Sequence, residues 1–214
     1  MIRTIIMRLV QIWDFLKTDG FASFLRHNIY MNRKAILIEK NLLEVNDGKR
    51  FLRQPNIKFE EITTDTFNNK NYQFPVKNRY LKALHYLKKG YGGHAIVKGS
   101  EVIGDIWYSA TSKSDQVSVH PDIRRFGIKS SEDYAYSFDQ FVVPTERGNN
   151  VAAALLNGQT YSLREKGYLK VCAYYWADNI PAVWNTRVMN KFKELKTLRV
   201  NGCWLYKRIS SGAE

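Results

Sequence analysis

The sequence predicts an α/β domain preceded by a basic helical extension, and three patterns support this fold class. Residues 2–16 repeat apolar side chains at spacings of three and four, which is typical of a helix. Residues 94–108 contain two β-prone segments around Gly99-Ser100, which is typical of a hairpin. From Tyr134 onward, strand-like and helix-like segments alternate. A chain of 214 residues with 44% hydrophobic residues can bury a sizeable core and is not typical of a disordered protein.

Charge and cysteine content limit the classes of function. The net charge is +13, and residues 1–90 carry 17 basic and 8 acidic side chains, so the surplus is concentrated in the N-terminal part. Such a surplus attracts anionic partners, which include nucleic acid, an acidic membrane surface and phosphorylated small molecules. Two cysteines, Cys172 and Cys203, are too few for a disulfide framework and are typical of a reducing compartment. We therefore expect a cytoplasmic protein without a structural metal.

The first predicted unit, residues 1–56, is a basic extension packed on the main domain of residues 57–214. Its opening helix interrupts the apolar residues with Arg3, Arg8 and Asp14 and has no small-residue cleavage site, so it is not typical of a signal peptide or a membrane span. Packing on the domain and peripheral attachment to an acidic membrane surface both remain open. A basic patch on this extension would also suit an acidic partner protein; its members are Arg26, Arg33, Lys34, Arg50 and Arg53.

The elements before Tyr134 are predicted from local patterns. Short strands are expected at 34–45 and 57–63, a helix at 78–89, and the hairpin strands at 94–98 and 101–108. Residues 109–133 have little periodicity, which predicts a long connection that borders a site.

The elements after Tyr134 are more regular. The pattern predicts a strand from Tyr134 to Val143, a helix over 149–166, a strand over 168–176 and a helix over 180–192 that ends with Asn190 in the left-handed conformation. The last two strands, at 195–200 and 203–209, would form a hairpin around an Asn201-Gly202 turn. Cys203 is expected to be a packing residue.

The turn between the strand at 134–143 and the following helix predicts a site for an anion. The first turn of a helix leaves backbone N–H groups unpaired and carries a partial positive charge. Gly148 would let the backbone approach an anion, Asn150 tolerates a left-handed conformation, and the small Ala152 leaves room for a ligand. The segment is neither a Walker A sequence nor a dinucleotide fingerprint. A pyrophosphate is the expected anion.

This segment resembles the coenzyme A loop of the GNAT superfamily of acyl-CoA N-acyltransferases. Arg147 and Ala152 match the ends of that loop, whereas Asn150 stands where a central glycine is usual. About 30 residues later, Asn179-Ile180-Pro181-Ala182 matches the Asn-x-Pro-Ala segment that lies beside the pantetheine arm. The resemblance implies a mixed, mainly antiparallel sheet with splayed central strands. The coenzyme A contacts that it implies are Val142, Val143, Arg147, Gly148, Asn149, Asn150, Val151, Ala152 and Asn179.

A second segment, residues 119–128, looks superficially like the same signature. No amphipathic helix follows Gly127, so we assign this segment to the insertion, where it could contact the acceptor.

The resemblance implies that an acceptor amine attacks the thioester of acetyl-CoA or another acyl-CoA. It places a backbone N–H of Val142 or Val143 at the thioester and makes Asp139 the first choice for the general base. Glu132, Asp133, His94 and His120 are further candidates for the base. Thr186 stands where the family often has the Tyr that protonates the leaving thiolate. Three alternatives follow: Tyr174 or Tyr175 replaces it, water protonates the thiolate, or the enzyme uses another arrangement.

The expected acceptor is the primary amine of a small molecule or an amino sugar, and the expected acyl group is acetyl. Long-chain N-acylation from acyl-CoA or an acyl carrier protein is the alternative, which the basic extension favours. The charge surplus alone supports a third hypothesis, a nucleic-acid-binding module without enzymatic activity, which is less favoured.

Overall fold

A mixed β-sheet forms the centre of the protein, for which we have a computed structural model that describes residues 13, 31–52, 55–69, 72–112, 119–202 and 207–211. The described strands form one eight-stranded sheet in the order β2-β3-β4-β5-β6-β1-β7-β8. All neighbouring pairs are antiparallel except β5 and β6, which are parallel. The strands are β1 (Met31–Asn41), β2 (Ile57–Ile62), β3 (Gly92–Lys98), β4 (Glu101–Ala110), β5 (Tyr134–Val142), β6 (Lys170–Trp176), β7 (Lys193–Gly202) and β8 (Lys207–Ser211).

Helices lie on both faces of this sheet. The described helices are α1 (Thr64–Asn69), α2 (Lys77–Lys88), α3 (Pro121–Arg125), α4 (Val151–Glu165) and α5 (Ile180–Val183), and α5 continues into a π-helical turn, Trp184–Met189. These elements confirm the predicted fold class of a mixed, mainly antiparallel sheet flanked by helices. No helix among the described residues is long and apolar enough to cross a membrane.

Alternation along the strands divides the core into two layers, because successive side chains of a strand point to opposite faces. On β4, Ile106 and Tyr108 pack in the layer beneath α4, whereas Trp107 packs in the opposite layer with α2 and α3. Helix α4 comes close to β2 at Gly158, where an added Cβ would lie 2.5 Å from the Phe59 ring. The small residue therefore fixes the distance between helix and sheet.

Strand β1 belongs to the sheet although it lies in the predicted N-terminal extension. It pairs with β6 on one side and with β7 on the other. The boundary between residues 56 and 57 stays a prediction about domain division. The opening helix, Arg26 and Arg53 of the basic patch, and Cys203 lie outside the described residues.

Several local predictions are corrected by the structure. Asn201 and Gly202 are strand residues that pair with β8 on one side and with β1 on the other, so they do not form a two-residue turn. Asn190 has φ −99° and Lys191 takes the left-handed conformation instead, with φ 55°. The buried amide of Asn190 explains this, because it donates to the backbone carbonyl of Asn185 at 3.0 Å.

The structure contains two short helices that the sequence did not predict. Helix α3 lies within the expected connection over 109–133, and α1 follows β2. Ile123 of α3 and Phe126 after it are buried in the core layer that contains Trp107. These apolar contacts hold a helix too short for its periodicity to be visible in the sequence.

Buried His94 gives the fold a predicted sensitivity to acid. Its ring stacks between Phe59 and Tyr108, and Nε2 lies 2.9 Å from Ser162 Oγ. Burial, with a further contribution from Lys166, lowers the pKa of His94 to about 3. Because the unfolded chain takes up this proton first, stability is lost as the pH falls from about 6.5 towards 3.

We expect His94→Gln to reduce the loss of unfolding free energy between pH 7 and pH 4.5 by about 2 kcal/mol, because the titrating group is removed. Urea denaturation at the two pH values measures the difference. As a control, Ser162→Ala removes the hydrogen bond but keeps the imidazole, so its pH dependence should match that of the wild type. An unchanged pH dependence in His94→Gln would contradict the assignment.

Candidate active site

A cavity of about 520 Å³ opens where β5 and β6 separate. The two strands pair over only three positions, from Tyr134 with Lys170 to Tyr136 with Cys172, and then diverge. The cavity passes between the two core layers. Its lining includes Leu156, Ala173, Tyr175, Ala182, Thr186 and Phe192 towards α4 and α5, and Lys82, Tyr86, His120, Asp122, Phe138, Tyr174 and Trp176 towards α2 and α3.

The divergence coincides with an irregularity in β5. Between the pairs Trp107–Phe138 and Asp105–Phe141, two residues of β5, Asp139 and Gln140, lie opposite one residue of β4. The extra residue forms a β-bulge, and Asp139 within it has φ 50°, which is unusual for a residue other than glycine. The bulge turns the end of β5 away from β6.

The predicted anion-binding turn leads into the N-terminus of α4. Asn150, the residue before α4, is in the left-handed conformation with φ 60°. Its side chain makes no capping hydrogen bond to the helix. Among the described residues, no backbone carbonyl accepts from the N–H groups of Asn149 to Ala153. These groups are therefore available to an anion.

Gly148 in the same turn has φ 87°, and no atom lies within 4 Å of the position that a Cβ would take. The open space lets a ligand approach the backbone directly. Next to it, Arg147 is exposed and its Nε donates to the carbonyl of Val142 at 3.3 Å. The carboxylate of Glu146 accepts from Lys98 Nζ at 3.0 Å and from the side-chain amide of Asn149 at 3.3 Å.

The backbone amides of Val142 and Val143 are both predicted to face a thioester, but that of Val143 is already hydrogen-bonded within the protein. It donates to the carbonyl of Ile103 at 2.9 Å. Val142 therefore remains the candidate from that pair.

Asn179 lies at the cavity and also caps α5. Its Oδ1 accepts from the N–H of Ala182 at 3.2 Å, and Pro181 occupies the first turn. A helix cap of this kind is favourable in its own right, so the Asn-x-Pro-Ala segment has a structural role here.

Gln140 connects three elements around the cavity and was not identified from the sequence. Its Nε2 donates to the carbonyl of Ala152 at 2.6 Å, and its Oε1 accepts from Asn185 Nδ2 at 3.0 Å. The side chain thereby joins β5 to the start of α4 and to the π-helical turn. Gln140 lies in the bulge of β5, which the sequence pattern does not predict. Its role at the cavity therefore could not be predicted from the sequence.

Asp139 lies in a dense charged cluster at the opposite side of the cavity. Both of its carboxylate oxygens accept from Arg79 Nη1 at 3.0 Å and from Lys82 Nζ at 2.9 to 3.0 Å. The hydroxyl of Tyr86 donates to it at 2.7 Å. Arg79 also pairs with buried Asp105, whose carboxylate accepts from the indole of Trp107 at 2.8 Å. Arg79, Lys82 and Tyr86 share one face of α2 because they are three and four residues apart.

This cluster keeps Asp139 ionised. Burial opposes the charge, but Arg79, Lys82 and the hydrogen bond from Tyr86 together hold the pKa of Asp139 well below its usual range. A carboxylate with so low a pKa is a weak proton acceptor. The role of general base predicted for Asp139 remains untested, and these contacts weigh against it.

The other predicted bases are distributed over the molecule. Glu132 and Asp133 are exposed in the turn before β5, and His94 lies on the face of the sheet beneath α4, bonded to Ser162. His120 lines the cavity. Burial lowers the pKa of His120, although Asp122 partly opposes this, and its Nδ1 accepts from the N–H of Asp122 at 3.2 Å.

Tyr174 and Tyr175 both line the cavity, from opposite faces of β6. Burial, reinforced by nearby carboxylates, raises the pKa of both phenols. The Tyr175 hydroxyl donates to Glu194, whereas no described side chain forms a hydrogen bond with the Tyr174 hydroxyl. Thr186, at the position where the resemblance led us to look for a tyrosine, donates its hydroxyl to the carbonyl of Ala182 at 2.8 Å.

Solved structures of GNAT proteins share the fold of this chain. The GCN5-related glucosamine N-acetyltransferase region of a fungal multi-domain β-N-acetylglucosaminidase aligns with a TM-score of 0.55 and 16% identity, covering 86% of this chain and 22% of that one. A tandem GNAT protein from the clavulanic acid biosynthesis pathway aligns at 0.52 and 13% identity, over 90% and 59% of the two chains. A GCN5-related N-acetyltransferase from Sphaerobacter thermophilus aligns at 0.51 and 9% identity, over 90% and 57%.

The protein has a GNAT fold. No family model and no curated protein sequence matches the chain. It spans less than two thirds of the length of each of these three solved chains. The predicted GNAT-like sheet with splayed central strands is thus confirmed, and the N-terminal extension lies outside what the comparison addresses.

In this chain, strand β1 lies between β6 and β7, and Asp139 in the bulge of β5 is surrounded by a charged cluster. Among the described residues, no group of three His, Cys, Asp or Glu side chains is arranged to hold a metal ion.

We expect Asp139→Asn to lower the free energy of unfolding by about 3 kcal/mol, because the change removes the anionic partner of Lys82 and one of the two anionic partners of Arg79 in a largely buried setting. Denaturant titration at pH 7 measures this loss. Asp178→Asn serves as the control, since Asp178 pairs with Arg33 but has a side chain 59% exposed; its loss should stay within about 1 kcal/mol. Equal losses in the two variants would show that the Asp139 cluster does not stabilise the fold.

Proposed function

We propose that this protein transfers an acyl group, with acetyl as the first choice, from acyl-CoA to the primary amine of a small molecule. The observation that carries the proposal is the cavity between β5 and β6, which reaches both core layers and whose lining residue Gln140 donates to the carbonyl of Ala152 in the first turn of α4. Two reactants can therefore enter from opposite faces of the sheet and meet at its centre. Holding two reactants in this way removes much of the entropic cost of their reaction.

The turn before α4 suits the diphosphate of coenzyme A. Free N–H groups, the positive end of the helix and the open space at Gly148 favour a bulky anion. The turn also contains the carboxylate of Glu146, whose charge is balanced by Lys98 and which accepts a hydrogen bond from Asn149. We assign the remaining predicted coenzyme contacts, Arg147, Asn150, Val151, Ala152 and Asn179, to the same ligand.

The thioester supplies an activated acyl group, so the protein has to orient it and manage protons. We assign the backbone N–H of Val142 to the thioester carbonyl, because that of Val143 is bonded to Ile103. We assign proton donation to the departing sulfur to Tyr174, because Tyr175 is bonded to Glu194. The raised pKa of Tyr174 keeps its hydroxyl protonated at neutral pH.

The acceptor enters, in this proposal, from the face of α2 and α3. Aromatic side chains line that part of the cavity, including Phe138, Tyr174 and Trp176. Flat or slender amines, amino sugars among them, can stack on such rings. A thermal-shift screen with coenzyme A and acyl-CoAs, followed by acetyl-CoA consumption with a panel of amino sugars, amino acids and diamines, tests the function. Absence of any coenzyme A binding would refute it.

We expect Gly148→Val to weaken coenzyme A binding at least tenfold, because a branched side chain would occupy the space in which the diphosphate meets the backbone. Calorimetric titration measures the affinity. Gly167→Val is a matched control: Gly167 has φ 89° and an equally open Cβ position, but it lies after the far end of α4. Both variants should lose similar stability, and only Gly148→Val should lose affinity. Equal affinity in the two variants would contradict the placement of the diphosphate.

A further inference from the structure

The acceptor side of the cavity contains two carboxylates, Asp122 and Asp139, which have different surroundings. If the protein acylates an amine, as proposed, this difference decides which carboxylate recognises the amine. An amine acceptor is a cation at neutral pH before it reacts. The carboxylate whose charge is least compensated by the protein is therefore the one that attracts it.

The charge of Asp139 is compensated by the protein itself. Arg79, Lys82, Asp105 and Asp139 form a group with two positive and two negative charges. Arg79 and Asp105 are 4% and 0% exposed, so water screens their interactions little. Both oxygens of Asp139 already accept from two cations, and one also accepts from Tyr86. An incoming ammonium would have to compete with all of these donors.

Asp122 is compensated much less. Its cationic partner among the described side chains is Arg125, at 3.2 Å, and the Arg125 side chain is 56% exposed, so solvent weakens that pair. The hydroxyl of Tyr136 lies at the long distance of 3.4 Å from Asp122 Oδ2. His120 Nδ1 is 3.8 Å from the same oxygen and is occupied by the N–H of Asp122. The Asp122 side chain is 19% exposed and borders the cavity, so its carboxylate is accessible from there.

Aromatic rings surround the same part of the cavity. The rings of His120 and Phe138 are 4.3 Å apart, and those of Tyr174 and Trp176 meet edge to face at 5.4 Å. Ring faces attract cations, and they stabilise a hydrophobic stem beside the charged end. A carboxylate next to such rings matches a primary alkylammonium group in both charge and shape.

We propose that Asp122 binds the ammonium group of the acceptor, between the rings of His120, Phe138 and Tyr174, before acyl transfer. The segment that carries Asp122 is thus a specificity-determining part of the site. Asp139 is a positioning residue that holds the bulge of β5 through α2. The acceptor class that fits is a primary amine on a slender or flat carrier that enters the cavity as a cation.

The test compares two probes of nearly the same shape, n-butylammonium and the neutral n-butanol, on the full chain with and without bound coenzyme A. Ligand-observed nuclear magnetic resonance gives the affinity of each probe at constant ionic strength. We expect the wild type to bind n-butylammonium about tenfold more tightly than n-butanol, as a hydrogen-bonded charge pair allows. In Asp122→Asn this ratio should fall to within about twofold, with n-butanol affinity unchanged.

Two controls separate charge recognition from general damage. Asp178→Asn removes a carboxylate two residues after Trp176 and should keep the wild-type ratio. Asp122→Glu should restore most of the preference, because it returns the negative charge.

The inference is overturned when Asp122→Asn keeps the wild-type preference, or when the wild type shows none. Calorimetry with coenzyme A on the same proteins reports on the proposed function separately. Normal coenzyme A binding with an unaffected ammonium preference in Asp122→Asn refutes this inference alone, whereas failure of the wild type to bind coenzyme A refutes the proposed function.

Discussion

The separation of β5 from β6 after three residue pairs is the constraint on which the site depends. Parallel strands that kept pairing to their ends would close the sheet and leave no cavity. Here β5 stays bonded to β4 as far as Val142, and β6 stays bonded to β1 as far as Trp176, so each strand has a partner on its outer side. The backbone groups facing the gap are the ones that remain for a ligand.

The bulge in β5 is held in place by buried charge. A left-handed aspartate within a strand is unfavourable by itself, and persists only where surrounding contacts outweigh the strain. The cluster of Arg79, Lys82 and Tyr86 provides these contacts from α2. The same contacts bind the carboxylate that its position in the sequence predicts to be the general base.

The two sides of the cavity differ in chemistry as the proposed reaction requires. Towards α4 and α5 the site provides unpaired backbone N–H groups, an open glycine and a helix cap, which suit a large anionic carrier. Towards α2 and α3 it provides rings and an accessible carboxylate, which suit a small cation. Because the cavity is lined from both core layers, the proposed reactants would enter from different faces of the sheet.

Local pattern was enough to predict the strands β5 and β6, the helix α4, the left-handed Asn150 and the open Gly148, because each depends on residues close together in the chain. The sequence also contains, in the same order, the two segments that resemble the coenzyme A motifs of GNAT proteins. Tertiary structure decided the rest: the residues of β1 pair with residues of β6 that are 129 or more positions away, and Asp139 contacts Arg79 across 60 positions. Asp122 reaches the cavity only through the packing of Ile123 and Phe126. Such contacts arise from side chains that become neighbours on folding, and no spacing along the sequence records them.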